Sequence, residues 1–148
     1  LFTLTLLIAA MGMFTSCGSE EETPEPTDIR DQAVGSYTGT IELLGSGNAP
    51  ADISFTVSKG SATDALAINW NGTIIRATKT QEANNGITFD IETFNSGDSR
   101  FIGYDGITLG TTKYNGAYFS DEVELVFYTE LYISNSYVGT MKFEGTKI

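Results

Sequence analysis

From Ser36 to Glu144 apolar and polar residues alternate at period two, in short runs that never lengthen into a helical repeat. Tyr37, Gly39, Ile41 and Leu43 alternate with Ser36, Thr38, Thr40 and Glu42, and Ile53, Phe55 and Val57 with Asp52, Ser54, Thr56 and Ser58. Leu66, Ile68 and Trp70 follow, then Ile87, Phe89 and Ile91 set against Thr88, Asp90 and Glu92. Val123, Leu125 and Phe127 alternate with Glu122 and Glu124, and Tyr137, Met141 and Phe143 with Thr140, Lys142 and Glu144. Side chains on a strand point to opposite faces in turn, so this pattern describes strands with one buried and one solvated face, hence an antiparallel sheet. Asn71-Gly72, directly between Trp70 and Thr73, is the strongest short hairpin signal. Asn85-Gly86, Asp105-Gly106 and Asn115-Gly116 add further turns.

The spacing predicts strands near 36–44, 52–59, 65–70, 73–79, 87–94, 114–119, 122–130 and 136–147. The span 99–112 holds either one more short strand or a long loop. The first and last strands echo each other, Tyr37-Thr-Gly-Thr-Ile-Glu-Leu43 against Tyr137-Val-Gly-Thr-Met-Lys-Phe143. An up-and-down barrel pairs its first strand with its last, and closure removes the unpaired edges. The expectation is therefore an all-β, antiparallel meander that closes into a small barrel of about eight strands. Gly39 and Gly139 would relieve crowding at the seam, and Glu42 and Lys142 could pair across it.

The inward positions are bulky: Tyr37, Ile41, Phe55, Trp70, Phe89, Phe127, Tyr137, Met141 and Phe143. An eight-stranded barrel is either packed by its side chains or holds one small ligand. Trp70, Phe89, Phe127, Tyr137 and Met141 are the expected lining of such a cavity. Arg76 is the cationic candidate: facing inward it would demand an anionic partner, facing outward it is a solvated strand residue. A second group, Tyr104, Tyr114, Tyr118, Phe119, Tyr128 and Tyr132, forms an outer interaction patch if exposed, or ordinary packing if the segment 99–112 covers it.

Little catalytic chemistry is on offer. Histidine is absent and Cys17 is the single cysteine, which excludes Ser–His and Cys–His pairs. Carboxylates are the remaining acid–base groups, and Glu122 and Glu124 share one outward face. The formal net charge of −11 argues against nucleic acid, whose affinity rests on cationic side chains. A non-enzymatic chain without cofactor or metal is expected.

Residues 1–16 (LFTLTLLIAAMGMFTS) are uncharged and nearly continuously apolar to Phe14, short for a bilayer span but right for a signal-peptide core. The string Phe14-Thr15-Ser16-Cys17 resembles a lipobox, with Phe14 where Leu is usual. That resemblance implies acylation of the Cys17 thiol and cleavage before it. Gly18, Ser19 and Glu20-Glu21-Glu22 follow, similar to the acidic export signal of Bacteroidetes surface lipoproteins, with a solvated spacer as the plain alternative. The expected organisation is a signal peptide (1–16), a lipidated acidic linker (17–32) and a β-barrel domain (33–148).

An acidic-tailed chain carrying this Gly- and aromatic-rich meander resembles the calycin-like (lipocalin-like) lipoproteins of the Bacteroidetes; Tyr37 of Val34-Gly35-Ser36-Tyr37 stands where the lipocalin opening motif has Trp. The resemblance implies a protein anchored by lipid in the outer membrane, exposed at the cell surface or, alternatively, facing the periplasm. Two readings of its work follow: a barrel that binds a small hydrophobic ligand, or a filled barrel that recognises protein or glycan from its surface. Cys17→Ala is expected to abolish incorporation of a palmitate analogue and release the protein from the membrane fraction.

Overall fold

A computed structural model describes residues 27–148; the apolar leader, Cys17 and the linker through residue 26 lie outside the described residues. The strands are β1 Gly35–Leu43, β2 Ala51–Lys59, β3 Leu66–Trp70, β4 Thr73–Ala83, β5 Gly86–Ile91 and β6 Phe94–Ser96. They continue as β7 Ser99–Gly103, β8 Ile107–Leu109, β9 Thr112–Tyr114, β10 Gly116–Phe119, β11 Glu124–Ile133 and β12 Ser136–Lys147. Together they form a closed, eight-stranded antiparallel barrel.

Twelve strands make eight staves because two staves are interrupted. Beyond Ile91 the chain stays beside β4, with the Glu92 N–H donating to Arg76 O (2.9 Å), so β5 and β6 are one bent stave. The next stave is split between β7 and β10. Both run along β11, with Gly103 opposite Thr129 and Gly116 opposite Phe127. Between them, the Tyr104 N–H donates to Tyr128 O (3.0 Å) and the Tyr128 N–H donates to Asn115 O (2.8 Å). The intervening residues leave the wall and return as the β8–β9 hairpin. The span 99–112 thus contributes half a stave and an excursion.

Asn115 closes the wall where the chain departs. Its Oδ1 accepts from the Ile91 N–H (3.0 Å) and its Nδ2 donates to Asp105 Oδ1 (2.8 Å). The side chain supplies the acceptor that a neighbouring peptide carbonyl would otherwise provide, and it does so at a buried position. Gly103 leaves the space this amide occupies.

β1 pairs with β12, closing the meander as expected, and Glu42 lies directly opposite Lys142. Lys142 makes its ion pair with Glu144 on its own strand. Gly39 faces Gly145, not Gly139: a Cβ on Gly39 would strike the Glu144 carbonyl, and one on Gly145 would strike the Phe55 ring. The Asn71-Gly72 turn has both residues at positive φ (49° and 82°), as a type I′ turn requires. Ser134-Asn135 repeats that geometry (50° and 62°) between β11 and β12.

The folded unit begins before residue 33. Ile29–Gln32 form a 3-10 turn across the base of the barrel, with Arg30 only 8% exposed. Arg30 Nη1 donates to Ala62 O (2.6 Å) and Ala65 O (3.1 Å), while Asp28 accepts from Arg30 Nε and Nη2. Lys59 reaches both Asp28 (3.1 Å) and Asp31 (2.7 Å). The end of the expected linker, residues 28–32, is therefore a charged clasp: Asp28 pairs with Arg30 beside it, and Asp28 and Asp31 both find Lys59 on the barrel. The Arg30 guanidinium holds the Asp28 carboxyl well below the usual carboxylate range. The clasp's contribution is thus present above that range and lost only as pH falls through the depressed value.

Replacing Asn115 by Leu leaves the Ile91 N–H buried without an acceptor, a change expected to cost about 1–3 kcal/mol. Urea denaturation of Asn115→Leu checks this, and Asn115→Asp, which keeps the acceptor but faces Asp105 with a second carboxylate, should also lose stability.

Candidate binding cleft

The barrel interior is occupied by its own side chains. Tyr37 and Phe55 stack at 5.1 Å, Phe127 and Phe143 at 4.4 Å, and Phe94 and Phe101 at 4.7 Å. Trp70 meets Phe143 edge-on at 5.2 Å and Phe101 at 6.2 Å. Leu66, Ile68, Ile75, Ile87, Phe89 and Leu125 fill the remaining wall positions and are fully buried. Of the expected lining, Phe89, Phe127 and Met141 are buried in the core and Trp70 is half-buried against it. They come together as packing, in one cluster in which Trp70 and Phe127 both meet the Phe143 ring. The indole N–H of Trp70 and the Thr129 hydroxyl, both buried, have no hydrogen-bond partner among the described residues.

Two members of the expected lining face the other way. Tyr137 is 55% exposed. The register of β12 against β11 shifts between Leu131 and Tyr132, so that Gly139 opposes Leu131 while Tyr137 opposes Tyr132. Val138 is the extra residue, and a one-residue bulge turns every side chain beyond it to the opposite face. Tyr137 accordingly packs edge-on against Tyr132 (5.6 Å), on whose ring Arg100 also lies (5.1 Å). Arg76 is exposed on the outer face of β4, between the inward Ile75 and Ala77, and makes no ion pair with another described residue. Water solvates its guanidinium there, so no anionic partner is needed.

The wall has a second, external apolar layer. Ala117 and Val126 lie on the outer face of β10 and β11, buried under Ile107 of the β8–β9 hairpin with Leu109, Tyr114, Phe119 and Tyr128 packed around them. Gly106 lies so close to the Tyr128 ring that a Cβ there would clash with it, which seats the start of the hairpin flat on the barrel. Tyr114, Phe119 and Tyr128, half of the outer aromatic group, thus pack with the excursion; Tyr118 instead points into the main core, Tyr132 lies against Tyr137, and Tyr104 remains 41% exposed.

Where the hairpin stops short of the barrel base it leaves a cleft of about 530 Å³. The strand ends at Gly86, Ile87 and Ala117 form its floor, Tyr114 and Phe119 supply half-buried rings, and Thr108 to Gly110 form one rim. The opposite rim is the β4–β5 turn, Glu82 to Asn85. That turn is held by Ser120, whose N–H (2.7 Å) and hydroxyl (3.0 Å) both donate to Asn85 O. The side chains of Glu82, Asn84, Asn85 and Thr108 hydrogen-bond to no other described residue, which leaves them open to solvent or ligand. No Lys or Arg lines the cleft. Among the described residues no three His, Cys, Asp or Glu side chains come together as a metal site would require.

Sequence reasoning pointed inward and did not single out this cleft. Tyr114 and Phe119 were visible as outer aromatics, and Asn85-Gly86 as a turn, but nothing in their spacing sets them side by side. No family model, curated protein or solved structure matches the chain.

The filled interior gives a contrast to measure. Phe143→Ala removes a ring at the centre of the aromatic stack and is expected to cost about 3–5 kcal/mol. Tyr137→Ala, on the outer face, should cost about 1 kcal/mol or less. Urea midpoints of the two variants decide whether the core is where the rings place it.

Proposed function

We propose that this chain is a non-enzymatic, lipid-anchored lipoprotein of the outer membrane, and that its barrel is a packed scaffold for recognition on the outside. Cys17 carries the lipid, and the roughly ten residues between it and Asp28 span at most about 35 Å when extended. The domain works close to the membrane, on the cell surface, and binds a macromolecular surface partner, protein or glycan. It uses no cofactor and no nucleic acid. The observation that carries this reading is the aromatic packing of the interior, with Phe127 on Phe143 at 4.4 Å and Trp70 on Phe143 at 5.2 Å, beside an external cleft edged by polar side chains that pair with no other described residue.

A second reading has one observation in its favour. The buried Trp70 indole N–H has no acceptor among the described residues, and a small hydrophobic ligand with a polar end would supply one if the rings parted. Such a ligand would have to displace packed aromatic side chains, which favours the first reading.

Protease added to intact cells is expected to degrade the protein, and Trp70 emission is expected to stay unchanged when fatty acids are titrated in. Protection until the outer membrane is permeabilised would place the domain on the periplasmic side. A saturable shift of Trp70 emission would replace external recognition with the internal ligand.

A further inference from the structure

We infer that the cleft between the β8–β9 hairpin and the β4–β5 turn is a binding site for an uncharged saccharide. This rests on the reading that recognition occurs outside the barrel, and it names the ligand class for that site.

The lining selects by exclusion first. A phosphate, sulfate or carboxylate ligand needs a cation, and no Lys or Arg faces the cleft, while Glu82 does. The described residues are also net negative, which repels anions at longer range. A divalent cation needs several oxygen ligands from carboxylates or carbonyls, and Glu82 is the sole carboxylate in the lining. A lipid tail needs an enclosed apolar channel, whereas this cleft is open and its rims are Asn, Glu and Thr.

What remains matches a sugar ring. A pyranose presents an apolar face of C–H groups and an equator of hydroxyls that both donate and accept. Tyr114 and Phe119 offer half-buried rings to the first. The amides of Asn84 and Asn85, each able to donate and accept, the Glu82 carboxylate and the Thr108 hydroxyl suit the second. These groups enter the cleft with no hydrogen bond to satisfy elsewhere among the described residues, so a ligand competes with water alone for them. The volume, about 530 Å³, lies within the usual range for small-ligand sites. One rim is pinned through Ser120 to the Asn85 carbonyl and the other is seated on Tyr128, so the site is formed before a ligand arrives.

The test titrates the full-length lipoprotein in detergent micelles with neutral mono- and disaccharides, their sulfated and uronic-acid counterparts, and a neutral polysaccharide, reading heat and Trp70 emission. At least one neutral sugar is expected to bind with a dissociation constant near or below about 1 mM. Asn84→Ala and Thr108→Arg should each weaken it tenfold or more with an unchanged urea midpoint; Thr108 is exposed, so its replacement leaves the fold intact. Binding of the polysaccharide but not of free sugars identifies a polymer as the source, and binding of both a free sugar. Absence of any neutral-sugar binding, tighter binding of the charged counterparts, or binding that survives both variants overturns the inference. If no sugar binds yet the same variants abolish capture of a protein partner, the saccharide inference fails and external recognition stands. Sugar binding that shifts Trp70 emission overturns both.

Discussion

Closure of this barrel depends on one side-chain amide. A closed sheet is stable because every backbone donor and acceptor has a neighbour, and the departure of the β8–β9 hairpin would leave a hole in that ladder. Asn115 fills it, receiving the Ile91 N–H on one side and holding Asp105 on the other. The two ends of the excursion are thereby tied together at the wall. With the ladder intact, β7 and β10 act as one stave, the core rings are held on all sides, and the hairpin is free to build outward. The interruption thus leaves barrel closure intact.

The closed wall determines where the proposed recognition would occur. Inside, Trp70 of β3 meets Phe101 of β7 and Phe143 of β12 across the barrel, amid a buried aromatic and aliphatic core. Outside, the hairpin buries Ala117 and Val126 but stops short of the barrel base, and the space beyond it is the cleft. The stave that carries the excursion is backed by packed core side chains. Phe89 gives an example: its ring lies where a Cβ on Gly116 would be, directly behind the start of β10.

Much of this was legible from residue alternation. Period two identified the staves and placed Tyr37, Phe55, Phe89, Phe127 and Phe143 inside, because each belongs to an unbroken run. The Tyr37 and Tyr137 echo identified the partners that close the barrel and set Glu42 opposite Lys142. Alternation fails wherever the ladder slips, and Tyr137 lies beyond the Val138 bulge, which no composition marks. Arg76 was ambiguous because its neighbours Ile74 and Ile75 are equally apolar, although Ile74 proves to be 53% exposed. The cleft was illegible for a different reason. Its rims are far apart in sequence and meet only because the excursion folds back over the barrel base. The clasp, too, looked like a solvated tail, since its partners Lys59, Ala62 and Ala65 lie some thirty residues onward.

That clasp determines how tension on the tether would enter the fold. Arg30 grips the loop carbonyls of Ala62 and Ala65, and Lys147 at the end of β12 donates to Gln32 O (3.2 Å), so residues 30–32 are fastened to two parts of the base. Beyond it the load would pass into β1, which is bonded along both edges, to β2 and to β12. Those bonds lie across the strand axis, so a pull directed along β1 loads them in shear, many at once rather than one after another. On the proposed anchoring, a domain joined to a moving surface at its base and held by a partner at its flank would resist extraction by sharing the strain across two whole ladders.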